Sequence, residues 1–117
     1  MKNHCLLAAL AAVALVGCAN DPAPNAQLLL TRQVVDQAAS VGADSQVAEM
    51  KLAQDKLALA EKNMGEHDYK RARILAEQAE LDARLAEVKV LVAKSEAQLA
   101  DLQSKIARLR KQLGAQP

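Results

Sequence analysis

Phenylalanine and tryptophan are absent from this 117-residue chain, and Tyr69 is its single aromatic residue. A core without aromatic rings must be filled by small aliphatic side chains, and here alanine and leucine supply most of them. Both favour helices, and that composition disfavours a sheet core. Gly (4) and Pro (3) are also scarce, which argues against a loop-rich or disordered chain. Neither sign of charge dominates, with 15 Lys+Arg against 14 Asp+Glu. No basic face of the kind that binds nucleic acid stands out. The length allows one small domain.

The longest apolar run, Cys5 to Val16, is shorter than the roughly 20 residues that span a bilayer core. After the short, weakly positive Met1-Lys2-Asn3-His4 it has the form of a secretory signal. It ends in Leu15-Val16-Gly17-Cys18, which resembles the lipobox of bacterial lipoproteins. The resemblance implies cleavage of residues 1–17, then acylation of Cys18 by diacylglyceryl and a third chain such as palmitate. Two or more chains anchor a protein stably where one does not. Cys5 leaves with the signal and Cys18 is lipidated, so the mature chain keeps no free thiol for a disulfide, a thiolate metal site or a cysteine nucleophile. Ala19 rather than Asp follows Cys18, which points to the periplasmic face of the outer membrane.

Residues 18–25 form a lipidated tether, in which Pro22 and Pro24 force an extended course. Its last five residues reach at most about 17 Å. Three helices are predicted after it. The first runs from about Ala26 to Val41 with Asn25 as N-cap. The second runs from Gln46 to about Met64, capped by Asp44 or Ser45 and stopped by a positive-φ Gly65. Asp68 caps the third. From Tyr69 to Leu113 there is neither Gly nor Pro, a predicted helix of roughly 67 Å.

Apolar residues recur on the third helix in steps of four and three: Leu81, Leu85, Val88, Val92, then past Ser95 to Leu99, Leu102, Ile106, Leu109 and Leu113. The series extends back through Gln78 to Ile74. This is the heptad pattern of a coiled-coil seam. The two shorter helices are long enough to cover the third only to about Val88. The expected layout is an all-α hairpin or small three-helix bundle over residues 26–88, with a coiled-coil extension over 89–117. Val92, Leu99, Leu102, Ile106, Leu109 and Leu113 are the candidate partner-binding residues. What covers them would be another protein, a second copy or a membrane surface. A parallel pair of copies would set Glu77 against Asp82, Arg84 against Lys89 and Lys105 against Arg110, so any self-pairing should be antiparallel.

Chemistry-bearing motifs are sparse. His67 is the only histidine after the signal and stands in the turn Glu66-His67-Asp68, where a solvated role is expected. There is no Gly-rich phosphate loop, paired-carboxylate motif or Ser/His arrangement, so no enzyme, metal or cofactor is expected.

Around the second turn the chain resembles bacterial lipoproteins carrying the domain of unknown function 4398. The matching pieces are Lys51-Leu52-Ala53, Lys56-Leu57-Ala58-Leu59-Ala60, Asp68-Tyr69, Arg71-Ala72, Leu75-Ala76-Glu77-Gln78-Ala79 and Asp82-Ala83. His67 stands where that family usually has the glycine of a Gly-Asp-Tyr turn. The resemblance implies an envelope-located helical hairpin. Some relatives are joined to peptidoglycan-binding OmpA-like domains, which implies a place near the cell wall. On these readings the chain is expected to be a structural or adaptor lipoprotein. The alternative is a periplasmic binding module or holdase-like chaperone that uses the apolar C-terminal stripe.

Overall fold

The computed structural model describes residues 21–114. The expected signal peptide, the expected lipidation site Cys18 and residues 115–117 lie outside the described residues. Three helices follow one another: α1 (Asn25–Ser40), α2 (Ala48–Gly65) and α3 (Tyr69–Gln112). At 44 residues, α3 is about 66 Å long.

Cross-helix pairs fix the topology. Gln27 Nε2 donates to Glu80 Oε2 at 2.8 Å, and Gln37 Nε2 donates to Glu87 Oε1 at 2.8 Å, so α1 runs parallel to α3. The numbering runs the other way for Lys56 with Asp82 (2.6 Å) and for Glu49 with Lys89, so α2 is antiparallel to α3. Arg32 and Glu61, 2.7 Å apart, join α1 to α2. The result is an up-down-up bundle. Glu80, held by Arg84 and Gln27, and Glu49, held by Lys89, have their carboxyl groups lowered below the usual glutamate range by those hydrogen bonds.

The bundle is held by an alanine ridge. Ala72, Ala76, Ala79, Ala83 and Ala86 of α3 are all 0% exposed, at the same four-three spacing as the leucine series. Opposite them lie Leu28, Val34, Val35 and Ala38 of α1 and Met50, Ala53 and Ala60 of α2. The largest fully buried side chains are only Met50 and Thr31. Small side chains let helix axes come to the near end of the usual range of about 8–10 Å. Thr31 exploits that approach. Its hydroxyl lies 3.0 Å from the Ala76 carbonyl of α3 and 2.9 Å from the Gln27 carbonyl of its own helix, so its single proton always has an acceptor.

Helix ends depart from the sequence expectations in three places. Pro24, not Asn25, is the N-cap of α1, and no side chain bonds the freed amides there. Asp44 accepts from Gln46 N (2.8 Å) within the connecting turn, and Val47 takes the N-cap of α2 without a side-chain bond. Asp68 does cap α3 as expected, accepting from Arg71 N at 3.2 Å. The third departure is at the end of α2. Both inter-helix turns close in the same way, with a left-handed residue just past the helix. In the first, Gly42 has φ 101°, Ala43 N donates to Ala38 O at 3.0 Å and Gly42 N to Ala39 O at 2.9 Å. In the second, Asp68 N donates to Asn63 O at 2.9 Å and His67 N to Met64 O at 3.2 Å. The left-handed residue of this turn is His67, φ 63°, and Gly65 is simply the last helical residue. A six-to-one bond needs its positive φ two residues beyond the helix, which is where His67 stands.

Two substitutions test this account. Ala79→Leu forces a large side chain into the ridge and is expected to destabilise the bundle by about 1–3 kcal/mol in urea unfolding. His67→Gly relieves a left-handed side chain and is expected to stabilise it by about 1 kcal/mol in the same assay.

Candidate functional site

The leucine series and the alanine ridge begin two residues apart, at Ile74 and Ala72. Two residues are about 200° of helical rotation, so the two stripes lie on opposite sides of α3. Only one of them can face α1 and α2, and the alanines do. The leucine series faces away over its entire length. Ile74, Leu81, Leu85, Val88, Val92, Leu99, Leu102, Ile106, Leu109 and Leu113 are all exposed, with Leu81 at 67%.

This corrects the sequence reading in one respect. The first half of the series was expected to be covered by the chain's own helices, leaving only the second half bare. Ile74, Leu81, Leu85 and Val88 are as bare as the rest. The signal that could have shown this was present: the alanines keep the same spacing, and a stripe of methyl groups is the one that admits two close neighbouring helices. Larger apolar residues outweighed it in a reading based on hydrophobicity. The exposed seam therefore runs from Ile74 to Leu113, about 58 Å.

Beyond the bundle, α3 stands alone. Lys94 Nζ donates to the Val41 carbonyl, and Gly42 lies beside the side chains of Val90 and Lys94. Past that point the chain has no cover: every residue from Leu91 to Gly114 is exposed. This bare segment contains the expected partner-binding residues Val92, Leu99, Leu102, Ile106, Leu109 and Leu113. Leu91, also exposed, lies toward the edge of the same face. Monomeric soluble proteins rarely show an apolar strip of this extent, and such strips mark interaction surfaces.

The other chemistry-bearing residues do not converge. His67 is exposed and tilts against Tyr69, with ring centroids 5.8 Å apart. Among the described residues, no group of three His, Cys, Asp or Glu side chains is placed to hold a metal ion. No described helix is long and apolar enough to cross a membrane. Surface depressions lie at the start of the bundle, by Pro24, Gln27, Arg73 and Glu77, and at the second turn, by Leu59, Asn63, Arg71 and Leu75.

The model of DUF4398, a domain of unknown function, matches residues 26–102. Among solved structures, the chain is similar to a DUF4398 family protein from Pseudomonas aeruginosa PAO1, whose crystal structure was determined at 2.47 Å resolution. The two are 60% identical with a TM-score of 0.78, over 80% of this chain and 97% of that one. No curated protein matches. The chain belongs to the DUF4398 family.

Because Leu81 lies on the outer face, Leu81→Gln is expected to change the stability of the dilute protein by no more than about 0.5 kcal/mol. Leu28→Ala, at a site only 5% exposed, is expected to cost about 2–5 kcal/mol. Urea unfolding of both variants checks the assignment of faces.

Proposed function

We propose that this chain is a lipid-anchored lipoprotein of the cell envelope, held by Cys18 at the periplasmic face of the outer membrane, that works as a structural or adaptor protein through helix–helix contacts. The observation that carries the reading is the seam on α3. It offers ten large aliphatic side chains along one line, and nothing in the chain's own bundle covers them. Burying such a side chain is worth about 1.5–3 kcal/mol, so a partner helix has ample driving force even after the cost of association. The heptad spacing suits a helix as partner, because knobs every 3.5 residues fit holes on another helix. The lipobox-like Leu15-Val16-Gly17-Cys18 supports the anchor.

The bundle supports this role through its stiffness. Cross-helix pairs from Gln27–Glu80 to Val41–Lys94 fix the orientation of α3 from its fourth turn to just past its midpoint. The second half of the helix thus leaves the bundle in a set direction and presents its seam to whatever lies alongside.

Two measurements in cells test the proposal. Palmitate labelling is expected at Cys18, with Cys18→Ala losing the label and moving the protein to the soluble fraction. A photo-crosslinking residue at position 102, on the seam, is expected to give one or a few discrete adducts, and the same residue at position 108, on the opposite side, none. Equal adducts from both positions would remove the seam as the binding surface. A smear of many clients from position 102 alone would favour a holdase.

A further inference from the structure

We infer that the helix covering the seam is α3 of a second copy of this chain, laid antiparallel. The inference rests on reading α3 as a helix-binding surface and names what it binds. Three observations carry it.

The first is access. α1 and α2 both lie on the alanine side of α3, so two copies can meet seam to seam with both small bundles on the outside. Ten large aliphatic side chains, each roughly half exposed, offer on the order of 900 Å² per copy, and a standard specific interface takes about 800 Å² from each partner.

The second is the distribution of charge. The chain is balanced overall, but its two parts are not. Residues 91–114 carry Lys94, Lys105, Arg108, Arg110 and Lys111 against only Glu96 and Asp101. Residues 21–90 carry 9 Lys+Arg and 12 Asp+Glu. A parallel pair sets the basic tails side by side. The stretch of α3 that an antiparallel pair sets along each basic tail, residues 74–93, carries Arg84 and Lys89 against Glu77, Glu80, Asp82 and Glu87, which favours association and orientation together.

The third is register. With the two-fold axis between residues 93 and 94, Ile74 meets Leu113 of the second copy. Leu81 meets Ile106, Leu85 meets Leu102, Val88 meets Leu99, Gln78 meets Leu109 and Val92 meets Ser95. Every member of the seam finds an opposite number, and each layer occurs twice. Beside these layers Lys89, which already pairs with Glu49 of its own α2, stands across from the second copy's Glu96. Arg84 faces the second copy's Lys105, but each already has a carboxylate on its own helix: Glu80 at 2.8 Å and Asp101 at 2.6 Å. Sliding one heptad either way covers less of the seam. One shift leaves Leu109 and Leu113 uncovered and puts Lys89 opposite Lys89 and Asp82 opposite Glu96, while bringing Glu77 to Lys105. The other leaves Ile74 uncovered and puts Glu96 opposite Glu96, while bringing Asp82 to Arg110.

The test uses residues 19–117. They hold the whole described fold and no cysteine, and the related crystal structure, 97% of which this chain covers, is of a chain of comparable extent. Sedimentation at about 50 µM is expected to give twice the chain mass, since pairing follows mass action. Leu99→Glu, which leaves the bundle untouched and keeps the helical circular-dichroism signal, is expected to raise the dissociation constant at least about 100-fold. Oxidising Leu85→Cys mixed with Leu102→Cys is expected to link the two variants to each other, while each alone stays unlinked. A monomer at that concentration, or efficient linking of each variant to itself, overturns the proposal. The monomer result leaves the adaptor reading to stand or fall separately, on the identity of the adducts formed at position 102 in the envelope.

Discussion

Five alanine methyl groups in a row on α3 set the terms for everything else in this structure. A ridge that low lets two helices settle close on one side of a third, close enough for the Thr31 hydroxyl to reach a main-chain carbonyl of α3. The same ridge limits what the interior can contribute. Methyl groups bury little area, and apart from Met50 the fully buried positions are small. Polar lacing surrounds the core: Gln27 with Glu80, Lys56 with Asp82, Glu49 with Lys89, Arg32 with Glu61 and Gln37 with Glu87. Exposed or half-exposed pairs of this kind add modest energy individually, but together they select one orientation of the helices.

Choosing the alanines for the inside leaves the large aliphatic residues outside. In a typical amphipathic helix, one apolar stripe faces the core and the other side is polar. Here α3 has two apolar stripes of different size, with the smaller one used for folding. The larger is free for association. That division accounts for a fold that is complete in one chain and a surface that is not, and it places the functional reading on the outer face rather than in a pocket or a cluster of titratable groups.

Much of this was legible in the residues. The three helices, the two breaks, the Asp68 cap and the long uninterrupted third helix follow from Gly, Pro and capping chemistry. Hydrophobic magnitude was a poor guide to which stripe faces inward, because close helix packing rewards small side chains as much as apolar ones. Local capping rules also failed at Asn25 and Asp44, where the chain enters each helix along a path that gives those carboxamide and carboxylate oxygens no helical amide to accept from. At the second turn the need for a left-handed residue was legible, but its position was not. The turn closes through Asp68 N to Asn63 O, and that bond places the strain on His67 rather than on Gly65.

The shared direction of α1 and α3 has a consequence for posture. Because the two helices start at the same end, the chain enters the bundle beside the beginning of α3, where an Arg73 guanidinium N–H donates to the Pro22 carbonyl at 3.0 Å. In an antiparallel pair the two entry points stand at opposite poles of a rod, about 60 Å apart, while the tether from residue 18 to each helix reaches at most about 25 Å. If each copy carries the proposed lipid at Cys18 and both lipids sit in one bilayer, the rod must lie flat along it like a mooring tied at bow and stern. If it stands upright, its second lipid is carried roughly 60 Å away from the first surface.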